Sequence, residues 1–169
     1  SFQTGPEMKL ASGRTSTFYF NMKPTMLDAE GAYLIASLIL DQLDGAEADV
    51  VGGLEMGAVP IASATAAMAH ARGRNLSAFF VRKQAKEHGT RSLIEGMARD
   101  ETMNGKKVVI VEDVTTTGGS SIKAAEAIRA AGGHVVRVIT VVDRQEGAAE
   151  AFAAANLDLR PLLTLSDFR

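Results

Sequence analysis

Apolar residues are distributed along the chain in two patterns. In several short stretches they run almost uninterrupted: residues 49–54, 77–81, 107–111 and 135–142 are mostly apolar and show little polar alternation. Strands covered on both faces, as in a parallel sheet, read this way. Between these runs, apolar positions recur at helical spacing. Ala32, Ile35, Ala36, Ile39 and Leu43 share one face of a predicted helix that Asp28 caps. Further helices are expected over 60–70, with Pro60 tolerated in the first turn, over 120–131, ending at Gly132-Gly133, and over the Ala-rich 147–155. A last strand is expected near 159–165. At the other end, residues 8–22 read as a strand, a Ser12-Gly13-Arg14 turn and an aromatic strand, Thr17-Phe18-Tyr19-Phe20. Residues 82–99 are polar and have no clear apolar period.

Strands alternating with helices imply an α/β fold with a central parallel sheet flanked by helices. Ligands of such sheets bind beyond the carboxyl ends of the strands, so the loops that follow the strands hold the candidate chemistry. No repeat, linker or low-complexity tract divides the 169 residues, and a single domain over 1–169 is expected. Composition removes several functions. A net charge of −2 leaves no dominant basic face for nucleic acid. The absence of cysteine excludes disulfides, zinc thiolates and cysteine nucleophiles. No apolar run is long enough for a membrane span, and no signal core opens the chain, so a soluble cytoplasmic protein is expected.

The strongest local signal is Val108-Val109-Ile110-Val111-Glu112-Asp113-Val114-Thr115-Thr116-Thr117-Gly118-Gly119-Ser120-Ser121. An apolar strand runs into two carboxylates, then a hydroxyl- and glycine-rich turn, then a helix. Free N–H groups at that helix start favour an anion, threonine hydroxyls add donors, and glycines allow close approach. The segment suits a phosphate monoester, and it matches neither a Walker A loop nor Gly-x-Gly-x-x-Gly. Adjacent acids on an extended chain are expected to diverge rather than chelate one ion. Accepting hydrogen bonds from two ribose hydroxyls fits that geometry better.

This block resembles the phosphoribosyl pyrophosphate motif of type I phosphoribosyltransferases. By the resemblance, Glu112 and Asp113 hold the ribose hydroxyls, and Val114, Thr115, Thr116, Thr117, Gly118, Gly119 and Ser120 cradle the 5-phosphate. Three more segments are similar to those of orotate phosphoribosyltransferases. Arg82-Lys83-Gln84-Ala85-Lys86-Glu87-His88-Gly89-Thr90 resembles the family's mobile catalytic loop. Ser12-Gly13-Arg14 with Phe18-Tyr19-Phe20-Asn21 resembles its N-terminal substrate-binding hairpin, and Asp143-Arg144-Gln145-Glu146 its motif after the next core strand. The resemblance implies the type I phosphoribosyltransferase fold, with a small hood to which residues 1–24 contribute. It also implies Mg²⁺ carried by the pyrophosphate rather than by protein ligands, and a homodimer in which part of the loop reaches the neighbouring subunit's site.

The implied reaction joins orotate to the ribose of phosphoribosyl pyrophosphate. Arg82, Lys83, Lys86 and His88 are the expected cations on the departing pyrophosphate, with Arg82, Lys86 and His88 as catalytic residues. Orotate is expected against Thr116, Arg144, Tyr19 and Phe20. The Gly52-Gly53-Leu54-Glu55-Met56-Gly57 run resembles the family's pyrophosphate loop. Two departures stand out: some family members carry Lys where Ala11 and Met56 stand here. His70 and His134 read as structural. Rival expectations are a phosphoribosyltransferase for a purine or another pyrimidine, and a non-catalytic regulator on the same fold.

Overall fold

The apolar run beginning at Lys107 forms the middle strand of a five-stranded parallel sheet, with both faces covered. Val109 and Val111 point into one half of the core, with Ile35, Ile39 and Ile61. Val108 and Ile110 point into the other, with Ala124, Ile128 and Phe152. Five side chains in succession, Val108 to Glu112, are buried, which is why the sequence there shows no alternation.

The computed structural model describes residues 1–9, 13, 15–85 and 92–168, the side chain of Met8 excepted. An antiparallel hairpin opens the chain, β1 (Phe2–Lys9) and β2 (Thr15–Phe20). Two helices follow, α1 (Lys23–Leu27) and α2 (Ala29–Asp41). The main sheet then begins with β3 (Val50–Gly52), α3 (Ala58–Ala71) and β4 (Ser77–Ala78). A short antiparallel pair comes next, β5 (Phe80–Val81) with β6 (Ile94–Glu95). The remaining elements are β7 (Lys107–Thr115), α4 (Gly119–Ala130), β8 (His134–Asp143), α5 (Ala148–Ala154) and β9 (Leu159–Thr164), with a final 3₁₀ turn, Leu165–Phe168.

Strand order is β4-β3-β7-β8-β9, with every pairing parallel. From β3 the chain moves outward to β4, then returns to β7 on the opposite side of β3. The winding direction reverses there, so the loops after β3 and β7 part and leave a crevice between them. Asp28 caps α2 as expected, its Oδ2 accepting from the Gly31 N–H at 3.0 Å.

Four boundaries differ from the sequence expectation, each for a local reason. The first strand begins at Phe2 rather than at residue 8, and its ladder accommodates Gly5-Pro6 through a register shift between Thr4 and Met8. The 77–81 run is split at Phe79, because Ser77–Ala78 pairs with β3 and Phe80–Val81 pairs with β6. The polar stretch from residue 82 thus contains a strand, β6, too short to show a period. β7 continues past Val111 to Thr115, carrying both acids within the strand.

The hairpin is held to the end of the chain by stacked rings. Phe20 lies 5.0 Å from Phe2 and 5.0 Å from Phe168, and Phe2 lies 5.5 Å from Phe168, centroid to centroid. Among the described residues, no helix is long and apolar enough to cross a membrane.

Candidate active site

A cleft of about 640 Å³ opens at the carboxyl ends of β3 and β7, where the winding reverses. One wall is the turn from β7 into α4. Gly118 caps that helix with φ at +88°, a left-handed conformation, and offers no side-chain hydrogen bond. A Cβ at that position would lie 2.8 Å from the Phe152 ring. Only glycine satisfies both conditions at no cost. Because α4 lacks a side-chain cap, its first N–H groups remain available at the positive end of the helix dipole. The first turn carries no acid. Thr116, Thr117 and Ser120 line the same wall. Beside them the Thr115 hydroxyl is buried with no hydrogen-bond partner among the described residues.

The acids lie at the base of this wall. Glu112 points toward α4, where it accepts from the Ser121 hydroxyl at 3.3 Å. Asp113 lies over the start of α3; a Cβ on Gly57 would approach its Oδ1 to 2.6 Å. Strand alternation thus sends the two side chains to different helices. Burial is the largest cause that pushes the Glu112 carboxyl up to about 8, and the neighbouring Asp113 adds to it, against a smaller pull from Ser121.

The opposite wall comes from the β3 loop, with Glu55, Met56 and Gly57 on the cleft and a cis peptide between Glu55 and Met56. The hairpin closes the third side with Tyr19 and Phe20, joined by Arg144 from the end of β8. Arg144 is buried; its Nε donates to Glu146 at 2.7 Å and its Nη2 to Ser16 at 3.1 Å. Its guanidinium stacks 4.3 Å above the Phe18 ring.

The sequence pattern of the phosphoribosyl transferase domain matches residues 25–155. An orotate phosphoribosyltransferase of Rhodopseudomonas palustris (strain BisB18) is 59% identical over 168 residues, 99% of this chain and 89% of that protein. The chain belongs to the orotate phosphoribosyltransferase family. Solved structures agree. The Mycobacterium tuberculosis H37Rv orotate phosphoribosyltransferase in complex with Fe(III) dicitrate is 42% identical, with a TM-score of 0.82 over 99% of this chain and 91% of that one. The same enzyme in complex with 5-phospho-α-D-ribosyl 1-diphosphate is 40% identical, with a TM-score of 0.77 over 95% and 88%.

Within this orotate phosphoribosyltransferase fold, most of the sequence-derived candidates meet at one cleft. Glu112, Asp113, Val114, Thr115, Thr116, Thr117, Gly118, Gly119, Ser120, Lys83, Tyr19, Phe20 and Arg144 all line it. Arg82 does not. Its Nε donates to the Gln84 carbonyl at 3.2 Å, and its Nη1 lies 3.9 Å from Glu95, a partner supplied by the unexpected β6. Lys86 and His88 lie outside the described residues, as do Ala11, Ser12 and Arg14. Sequence reading missed five lining residues: Lys23, Met26 and Leu27 from α1, Pro60 from α3, and Ser121. Lys23 had a weak signal, a cation three residues past the aromatic strand. Met26 and Leu27 had none, because a five-residue helix shows no period.

The raised Glu112 carboxyl has a measurable consequence. In the unfolded chain Glu112 ionises near 4.5, whereas in the fold it holds its proton up to about 8. Between those values the folded state binds more protons, so stability falls as pH rises through the window. Glu112→Gln keeps a neutral hydrogen-bonding side chain and removes this dependence. Its thermal midpoint is expected to match wild type near pH 5 and exceed it at pH 8. Parallel curves across that range would show that Glu112 ionises normally.

Proposed function

We propose that this protein transfers the 5-phosphoribosyl group of phosphoribosyl pyrophosphate to orotate, giving orotidine 5-phosphate and pyrophosphate. The observation that carries the reading is the β7–α4 corner, where an uncapped helix start lined by threonine and serine hydroxyls faces the same cleft as two adjacent carboxyls. A sugar phosphate satisfies both. Its phosphate takes the N–H and hydroxyl donors of Thr115, Thr116, Thr117, Gly118, Gly119 and Ser120, with Val114 beside it. Its ring hydroxyls take Glu112 and Asp113.

With the ribose so held, its anomeric carbon faces the space between the β3 loop and the hairpin. The leaving pyrophosphate is directed to the β3 loop and to Lys83, with Lys86, His88 and Arg82 completing the cationic set. Charge builds on the leaving oxygens as the glycosidic carbon becomes oxocarbenium-like, and stabilising that charge is the largest protein contribution. For Arg82 to take part, its contacts to Glu95 and Gln84 must break. Orotate lies on the other side, its ring against Tyr19 and Phe20 and its polar edge toward Thr116 and Arg144. Arg144 is already held by Glu146 and Ser16, so its remaining donors are pre-aimed rather than free to swing.

Mg²⁺ belongs to the same reading. The described residues include no group of three or more His, Asp or Glu placed to hold a metal. The carboxylate and hydroxyl oxygens along the cleft are the hard donors that a largely hydrated Mg²⁺ accepts. We assign the ion to the pyrophosphate, with hydroxyls such as that of Thr116 meeting its water shell. When bound it adds positive charge to the leaving oxygens. The reading also includes one domain over residues 1–169, with residues 1–24 in the hood, a cytoplasmic location, and a homodimer with shared sites. The apolar outer face of α2, where Tyr33, Leu34 and Leu38 are exposed, supports a second copy.

The test is pyrophosphate release with Mg²⁺, phosphoribosyl pyrophosphate and one base at a time. Turnover is expected with orotate, seen also as a change in its absorbance, and not with uracil, hypoxanthine or adenine. Turnover with a purine alone would overturn the substrate.

A further inference from the structure

Parallel pairing along the edge of the sheet follows a fixed offset. The Ser77 N–H donates to the Asp49 carbonyl (3.3 Å), Phe79 to Val51 (3.0 Å) and Val81 to Gly53 (2.8 Å). Each rung advances two residues on both sides. The next would join the Lys83 N–H to the backbone carbonyl of Glu55. The backbone turns away there, and the Glu55 side chain takes over the rung: its Oε1 accepts from the Lys83 N–H at 2.7 Å. From the other side of the cleft, Lys123 on α4 donates its ammonium to the Lys83 carbonyl, also at 2.7 Å. The N–H and C=O of one residue are thus gripped by side chains of opposite charge, one from the β3 loop and one from α4.

We infer that Glu55 and Lys123 are positioning residues, which clamp the Lys83 backbone so that its ammonium is presented to the departing pyrophosphate. The inference rests on the phosphoribosyl-transfer reading above. Three observations support it. Lys83 lines the cleft, while its neighbour Arg82 is engaged elsewhere. A carboxylate in the loop that faces a pyrophosphate repels it, so Glu55 is a liability unless its charge is occupied, and here it is. Both contacts are charge-assisted and short, the stronger class of hydrogen bond. Fixing the root of a long, flexible lysine removes reorganisation that would otherwise fall in the transition state.

The clamp is tested on the whole chain with Glu55→Ala, Glu55→Gln, Lys123→Met and Lys123→Arg, varying orotate and phosphoribosyl pyrophosphate separately. Wild-type turnover with orotate secures the underlying reaction independently of the variants. Glu55→Ala and Lys123→Met are expected to lower kcat/KM for phosphoribosyl pyrophosphate by about tenfold each. The KM for orotate should stay within about twofold. Glu55→Gln and Lys123→Arg, which keep an acceptor and a donor, should retain most of the activity. Because both residues act on one backbone segment, the Glu55→Ala, Lys123→Met double variant should lose little more than either single variant. Both sites are at least partly exposed, and thermal midpoints should move by less than about 3 °C. An orotate KM raised as much as that for phosphoribosyl pyrophosphate, or full activity in Glu55→Ala, would refute the clamp. A loss confined to Lys123→Met would refute it too, since Lys123 would then be meeting phosphate itself.

Discussion

Lys86→Ala is expected to cut turnover with orotate by about 10²–10³-fold while leaving the thermal midpoint unchanged. Lys86 lies outside the described residues, and the expectation comes from the charges around it. The departing pyrophosphate needs cations on its oxygens, and the described part of the cleft supplies few. Arg82 is turned to Glu95. Met56, where some family members carry Lys, exposes a thioether on the pyrophosphate side. Lys83 is left with Lys86 and His88 to meet a charge that grows only as the bond breaks. A contact made mainly in the transition state shows in kcat more than in KM. Single-turnover measurement with saturating substrates isolates that step. A wild-type rate for the variant in that regime would remove Lys86 from the chemistry.

Gly118→Ala is expected to cost stability and function together. The residue sits at φ +88°, where a side chain costs about 1–2 kcal/mol. Its Cβ would also lie 2.8 Å from the ring of Phe152, which is fully buried and has no room to retreat; such overpacking adds about 1–3 kcal/mol. For a chain of this size the sum lowers the midpoint by about 4–20 °C. Any relief by shifting the turn moves the free N–H groups of α4, so phosphoribosyl pyrophosphate binding should weaken even at temperatures where the variant is folded. Scanning calorimetry with and without the ligand reads both effects. A midpoint within about 1 °C of wild type would mean that the turn tolerates a side chain.

These expectations draw on sequence and structure unequally. The sheet was legible because Val108, Val109, Ile110 and Val111 are buried on alternate faces of a covered strand, and burial on both faces erases the polar alternation that makes other strands ambiguous. The β7–α4 corner was legible for a related reason: a helix start without a cap needs glycine and hydroxyls in a fixed order. Residues whose roles depend on a distant partner were not. Nothing local to Glu55 announces that its carboxylate replaces a backbone carbonyl for Lys83, 28 positions away in the chain. Arg144 was expected against orotate, with nothing local to say how it is held. It is a buried cation, paired with Glu146 yet roofed by Phe18, which is distant in sequence. Arg82 was drawn toward the cleft by its neighbours in the motif, but β6 is two residues long and gave no warning that Glu95 would be there to take it. The raised Glu112 carboxyl follows mainly from burial, which adjacency alone does not reveal.

Phe2 and Phe168 touch across nearly the whole length of the chain. A ring stack of that span has consequences for order of assembly during synthesis. The β7–α4 corner is built from residues close in sequence and can form while the ribosome is still at work. The aromatic clasp on the hairpin cannot be complete until the Leu165–Phe168 turn has emerged. The nascent chain therefore acquires that corner before the wall that the hairpin lends to the cleft is fixed.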